Sequence, residues 1–566
     1  VAVAGTTQEP FDVLVVGSGA SGGWAAKRLA EAGARVALLE AGRPQSVSAF
    51  SDHSSPLELP LRDLSPATIR KTRPVQKDCY ACTEANYDWF CNDLEEPYTT
   101  AEGKPFSWQG RTRVVGGRTN VWGRQSYRMG DLDFKAASRD GVGEDWPLCY
   151  ADLVPYYDLV EDYVGISGLA EGLPELPDSR FHPAMPFTCA ETRLREQVKA
   201  RLGWTVTIGR VANITQTLNG RAPCHYCGPC YLGCITNSYF NSAFTTVADA
   251  VATGRLTLVT NAMVREVLTD PDTNRARGLR YVDRVTREPK EVLGRTVVLC
   301  AQALESARIL LNSRSSRNPG GLGNSSGALG HYLMDHLWVA GGATGEFPGL
   351  ERPASLDGPV RPNGIYVVRF RNTKDRSKRF LRGYGFQGGD RATTAFDLQA
   401  PGFGEAYKQA VRKPPSTVRL VGFGECLPYF ENRVEIDPSG EVDAWGIPIL
   451  KVHMSWGENE RAMIPDMAES AAEMMEAAGA RSIEPFAHPD RVPGYGIHEV
   501  GVARMGRDPK TSVLNQYQQS HDVRNLFVMD GSGFTSGACQ NPTLTIMALA
   551  VRSCDYLLGE VKRGNL

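Results

Sequence analysis

No apolar run in this chain of 566 residues approaches the ~18 to 20 residues needed to cross a bilayer, so no membrane span is expected. Charge of one sign is missing as well: 64 acidic residues nearly cancel 62 basic ones, leaving a net charge of -2. With no clustered basic stripe either, no nucleic-acid partner is expected. Internal repeats and low-complexity tracts are absent. The opening stretch, Val1 to Pro10, has neither a basic region nor a long apolar segment and does not read as a secretory signal. The cysteines number 13, an odd count that argues against a fully paired disulfide framework.

What is present is the balance of a soluble globular protein, 42% hydrophobic and 22% charged, with 58 Gly and 35 Pro implying many turns. The length calls for two or more domains. Phe11 to Val16 is a continuous apolar run read as a buried strand, followed by a glycine turn, a helix from about 21 to 32 and a strand over 35–39, a β-α-β unit. Pro56, Pro60, Pro66, Pro74, Pro97 and Pro105 break any long helix in the irregular stretch 45–110. Helices are predicted over 151–163, 191–202 and 304–312, and strands over 256–259, 264–268 and 297–301. From about 340 to 490, short alternating runs at 364–370, 416–423 and 432–436 suggest an antiparallel sheet, and 456–480 a long helix. A strand at 525–530 and a helix at 542–560 close the chain. The order fits a mixed α/β fold: a discontinuous, Rossmann-like dinucleotide domain (8–215, 241–335 and 495–566), a cysteine-rich loop (216–240) and an inserted antiparallel-sheet domain for substrate (336–494).

Gly17, Gly19 and Gly22 form G-x-G-x-x-G between the first strand and helix. The first permits a tight turn, the second lets a pyrophosphate approach the backbone, and the third allows close helix packing. The helix N-terminus favours the phosphate charge. Glu40 ends the second strand, where a carboxylate accepts from ribose hydroxyls and repels a 2′-phosphate. Further on, Arg113 to Gly123 contains the pair Gly116-Gly117 and Asn120, and paired glycines suit a backbone lying against a flat ring.

This run, with His498-Glu-Val-Gly501 leading to Arg504-Met-Gly506, the strand ending in Asp530-Gly531-Ser532, and Asn541-Pro542-Thr543, resembles the glucose-methanol-choline (GMC) oxidoreductase family. Val502 stands where the family has Thr, and 301–315 echoes a second signature without its glycines and prolines. The resemblance implies noncovalent FAD, with Val264 also beside the cofactor, Asp530 and Gly531 near its ribityl and pyrophosphate region, and Pro542 aiming a helix N-terminus at the flavin. It also implies a catalytic pair, His498 and Asn541. A neutral imidazole is suited to accept a hydroxyl proton while hydride leaves the carbinol carbon for the flavin. Asn541 can orient the oxygen without competing for that proton. His336, in a further family-like stretch, is read as structural.

Cys224, Cys227, Cys230 and Cys234 have the spacing C-x2-C-x2-C-x3-C, a run that suits iron–sulfur ligation, with structural zinc or a disulfide as alternatives. Ile235 stands where ferredoxins have Pro. The loop resembles the branch of GMC dehydrogenases that includes glucoside 3-dehydrogenases. That branch implies a 3Fe-4S or 4Fe-4S cluster, a sugar or glycoside substrate oxidised at the C3 hydroxyl, a cytochrome c acceptor, a small accessory subunit, and periplasmic export of the folded pair with the signal on the partner. Cys79, Cys82 and Cys91 are left as a disulfide, remote ligands or buried thiols. Two other readings stand beside this one: an oxidase of the same fold with zinc in the loop, and a flavin-bound scaffold that recruits a partner. Tyr366, Phe386, Gln387 and Tyr429 are substrate-side candidates.

Overall fold

The computed structural model describes residues 9–566 apart from 55–57, 60, 62–66, 351–359, 375, 377–378, 391–401 and 413–415. The readings placed on residues 1–8 and on Pro56, Pro60 and Pro66 lie outside the described residues.

The apolar run Phe11–Val16 is the central strand of a parallel sheet, with Val13 to Val16 buried. Val36–Leu39 pairs on one side, Val13 opposite Val36, and Leu256–Val259 continues beyond it. On the other side runs Pro289–Leu299, with Val16 opposite Leu299, and its end also pairs with Leu526–Val528. A parallel sheet is covered on both faces, so its strands read as unbroken apolar runs. Helices Ala20–Glu31, Tyr150–Val164 and Thr543–Lys562 pack together against it. Pro289–Leu299 is longer than the predicted 297–301: its first half leaves the parallel sheet and pairs antiparallel with Ala276–Asp283, which in turn pairs with Ala262–Thr269.

The second large sheet is antiparallel, in the order Arg481–Ala487, Leu337–Phe347, Ser416–Gly424, Tyr384–Asp390, Ile365–Val367, Val206–Ile208. Helix Glu458–Ala477 covers it. The strand expected over 364–370 is confined to Ile365–Val367. The one expected over 432–436 forms as Arg433–Ile436 but pairs instead with Leu450–His453 and, through it, with Thr99–Thr100. Leu337–Phe347 escaped the alternation rule because it carries glycines where neighbours press in. A Cβ on Gly341 would lie 2.6 Å from the carbonyl oxygen of Ile464, and one on Gly342 would lie 2.2 Å from that of Leu420. The carboxyl ends of the parallel strands thus face the antiparallel sheet across a crevice, where open α/β sheets bind their ligands.

Candidate active site

The three glycines of the first turn do different work. Gly17 has φ +92°, and a Cβ on it would sit 2.5 Å from the carbonyl oxygen of Cys300. A Cβ on Gly22 would meet the Gly17 oxygen at 1.7 Å, whereas none would meet anything within 4 Å on Gly19. Gly19 therefore opens onto free space, at the N-terminus of a helix that has no side-chain cap. Glu40 is buried and already occupied: one oxygen accepts from the Ser18 N–H at 3.0 Å and hydroxyl at 2.6 Å, the other from the Gly42 N–H at 2.7 Å. Ser18 Oγ in turn accepts from the Gly116 N–H at 2.9 Å, tying the first turn to the glycine pair. Asn120 Nδ2 donates to the Val115 and Gly117 carbonyls at 3.0 and 2.9 Å, and its Oδ1 accepts from Asn241 at 2.9 Å.

A cavity of about 820 Å³ follows these elements. Gly17, Gly19, Glu40, Gly117, Val264, Asp530, Gly531, Pro542, His498 and Asn541 all line it, while Gly22, Gly116 and Asn120 stand behind its wall as braces. Open space over Gly19, free helix N–H groups and an acidic ribose-side residue fit a dinucleotide flavin. Pro542 occupies the cap position just before helix Thr543–Lys562, one residue earlier than predicted.

At the far end, Asn541 Nδ2 lies 3.4 Å from His498 Nε2. Gln387 Nε2 donates to Asn541 Oδ1 at 2.6 Å, which fixes the amide so that its NH2 group faces the imidazole. The other side of His498 meets a residue read from sequence as structural. Met334 and Val500 pair antiparallel, with N–H···O distances of 2.9 and 3.0 Å, and this brings residue 336 opposite 498. The Nδ1 atoms of the two histidines are 3.1 Å apart, and His336 Nε2 is 3.0 Å from the Ala538 carbonyl. A carbonyl only accepts, so His336 carries its proton on Nε2 and offers a lone pair at Nδ1. His498 then donates from Nδ1, and its Nε2 is left as the free base facing Asn541. Burial pushes His336 down to about 4, and burial, His336 and Arg118 hold His498 well below the usual imidazole range. Both rings are neutral near pH 7.

The His498 backbone is pinned as well. Its N–H donates to Asp335 Oδ1 at 2.9 Å, and the Gly496 N–H to Oδ2 at 3.0 Å. Burial, then the Glu499 charge, raises Asp335 to about 7. Glu499 itself pairs with Arg118 at 2.6 and 3.0 Å. Trp338 and Phe423 line this end, the Phe423 ring 5.3 Å from that of His498. Of the substrate-side candidates only Gln387 reaches the cavity. Tyr366 is buried against Tyr127, ring centroids 4.3 Å apart, Phe386 is in the core, and Tyr429 donates to Glu460 at 3.1 Å.

The cysteine loop borders the same cavity through Gly228 and Tyr231. All 13 cysteines are free thiols. Cys230 and Cys234 are buried, Cys224 and Cys227 half-buried. Burial, with repulsion from the neighbouring loop thiols, raises Cys224 to about 11 and Cys227 to about 12, so the four sulfurs share one locality. Yet among the described residues the only three ligating side chains within 4.8 Å of one another are His53, His225 and Cys227. Four thiolates on one zinc need S···S near ~3.8 Å. The four loop sulfurs are not gathered that closely. Cys79, Cys82 and Cys91 are buried thiols, and Cys79 also lines the cavity.

Comparison with known proteins gives a consistent result. The family model described as GMC oxidoreductase matches in two parts, the N-terminal one over residues 11–338 and the C-terminal one over 428–550. The 2-methyl-1,2-propanediol dehydrogenase of Mycolicibacterium austroafricanum is 31% identical over 98% of this chain and 96% of its own length. The fructose dehydrogenase large subunit of Gluconobacter japonicus is 27% identical over 98% of each chain. Among solved structures, pyridoxine 4-oxidase from Mesorbium loti superposes with a TM-score of 0.62 at 18% identity, covering 97% of this chain and 99% of that one.

Proposed function

Because the chain belongs to the GMC oxidoreductase family, and so is an FAD-dependent oxidoreductase acting on a CH–OH group, we propose that its substrate is a sugar or glycoside. In this reading the enzyme is a dehydrogenase that oxidises the C3 hydroxyl and passes electrons through an iron–sulfur cluster at the cysteine loop to a cytochrome c. The observation that carries the chemistry is the pairing of His498 Nε2 with Asn541 Nδ2 at 3.4 Å on the wall of the cavity.

The residues Gly17, Gly19, Glu40, Gly117, Val264, Asp530, Gly531 and Pro542 would hold FAD, which supplies the two-electron acceptor for the hydride. Gly22, Gly116 and Asn120 keep the cradle in shape. His498 Nε2 takes the substrate hydroxyl proton, while its Nδ1–H stays hydrogen-bonded to His336 Nδ1, which keeps the ring oriented. Asn541 Nδ2 donates to the substrate oxygen as it becomes an alkoxide, and this is where a donor lowers the barrier most. Gln387 keeps that donor facing inward. Trp338 and Phe423 exclude water from the reacting end.

A sugar substrate is supported by the fructose dehydrogenase relative, and the C3 position by the resemblance of the cysteine loop to glucoside 3-dehydrogenases. A small accessory subunit accords with a relative named as a large subunit. We place the working complex in the periplasm, exported folded with a signal-bearing partner. No described helix is long and apolar enough to cross a membrane. The substrate domain is proposed to be 336–494, with Val206–Ile208 lent to its sheet by the segment 8–215. The loop 216–240 would carry the cluster, and 8–215, 241–335 and 495–566 the flavin.

The test is an ultraviolet-visible spectrum of anaerobically purified protein, with iron and zinc assays and turnover of glycosides against cytochrome c. Flavin bands, a broad brownish shoulder, several irons per chain and reduction of the cytochrome are expected. Flavin without iron, together with hydrogen peroxide formation in air, would move the assignment to the oxidase.

A further inference from the structure

The cysteine loop carries a second donor set that the reaction does not use. His53 and His225, both exposed, meet head-on in nearly one plane, with ring centroids 4.8 Å apart and planes 7° from parallel. Their Nε2 atoms are 2.6 Å apart, and two lone pairs do not face each other at that distance without a proton or a cation between them. Cys227 Sγ completes the group, with all three ligating atoms within 4.8 Å of one another. His53 Nδ1 lies 3.4 Å from Asp52 Oδ2, a neighbouring carboxylate that favours the tautomer with its lone pair on Nε2. Asp52 is only 3% exposed, and its Oδ1 has no hydrogen-bond partner.

We propose that His53 Nε2, His225 Nε2 and Cys227 Sγ bind one divalent ion of the zinc class, with water in the fourth position. Two imidazoles and a thiolate are borderline-to-soft donors, which favour zinc over calcium or magnesium. Binding releases the Cys227 thiol proton and the proton shared by the imidazoles to solvent, and no electrons move. Tetrahedral coordination at ~2.0–2.1 Å needs the nitrogens ~3.3 Å apart, so the exposed rings part by under ~1 Å and also turn until both lone pairs point at the ion. The proposal rests on the reading above only in leaving Cys224, Cys230 and Cys234 to the cluster.

The ion would pin the loop to the segment holding His53. The two already touch: the Ser51 N–H donates to the Leu232 carbonyl at 3.0 Å, and the Ile235 N–H to Asp52 Oδ2 at 3.1 Å. A Cβ on Gly233 would strike the Phe50 ring at 2.2 Å. The site is thus a staple holding the cavity wall that includes Gly228 and Tyr231.

The experiment uses the full chain purified with its FAD, grown with added zinc, alongside the H53A/H225A variant. Metal analysis is expected to give one zinc per chain in the parent and none in the variant, with flavin and iron unchanged. Cobalt added to zinc-depleted protein should give the visible absorption of tetrahedral Co(II)-thiolate in the parent only. Loss of zinc in the variant when neither protein contains iron still supports the site and fails the cluster reading instead. Zinc retained by the variant, no stoichiometric zinc or cobalt binding by the parent, or loss of iron with the histidines would each overturn the proposal.

Discussion

His336 and His498 meet Nδ1 to Nδ1 at 3.1 Å, with the Ala538 carbonyl behind His336 at 3.0 Å, so a backbone oxygen decides which nitrogen of His498 is basic. This is the role a buried carboxylate plays behind the histidine of a serine protease, performed here by a neutral ring.

His336→Leu removes the acceptor for His498 Nδ1–H and lets the ring turn or change tautomer. A fall in kcat of ~10²- to 10³-fold is expected, with FAD content and KM for the sugar little changed. His336→Asn keeps an acceptor oxygen and should recover part of that loss. Equal losses in the two variants would contradict the tautomer argument.

The pH profile has a definite sign. His498 must be neutral to act, and burial, His336 and Arg118 hold its protonation well below pH 6.5. The kcat/KM profile should therefore stay flat as pH falls from 7 through 6.5 and decline only at a lower pH. An acid limb centred at or above 6.5, measured with a substrate that is not sticky, would speak against His498 as the base.

Gln387→Leu leaves the Asn541 amide free to rotate. Because Asn541 is proposed to serve the developing alkoxide, the loss should appear in kcat by ~10-fold or more rather than in KM alone. Steady-state kinetics on the proposed glycosides would show the split.

Two glycine substitutions in one turn should fail in different ways. Gly22→Ala places a Cβ 1.7 Å from a backbone oxygen, and overpacking of this kind costs ~1–3 kcal/mol, which lowers Tm by several degrees. Gly19→Ala meets no atom of the protein. Its apoprotein should melt with the parent, while FAD affinity measured by fluorescence titration falls ~10-fold or more. If Gly19→Ala binds FAD normally, the cofactor does not pass over that residue.

The dinucleotide half was readable because its constraints are local. An unbroken apolar strand, a glycine turn and Glu40 lie within 30 residues of Phe11, each position set by what touches it. Those touching groups also explain what could not be read. His336 looked structural because its partner is 162 positions away, joined only by the pairing of Met334 with Val500. Leu337–Phe347 shows no alternation because its glycines admit a helix and a neighbouring strand rather than pack side chains of their own. Tyr366 and Tyr429 offered the right chemistry for a sugar, but their hydroxyls donate to the Cys539 carbonyl and to Glu460 instead. The His53–His225 pair joins segments more than 170 residues apart and has no spacing signature at all.

The pairing of Leu526–Val528 with the end of Pro289–Leu299 has a consequence for how the protein is made. As the chain emerges from the ribosome, Pro289–Leu299 can join Phe11–Val16 at once, but its outer edge at Val297–Leu299 stays bare until residue 526 is out. At ~5–20 residues per second that interval lasts roughly ten to forty-five seconds. An unpaired strand edge is a template for pairing with other chains. Asp530, Asn541 and Pro542 arrive on the same late segment, so FAD can be clamped only after translation is nearly finished. Cofactor loading therefore marks the end of synthesis.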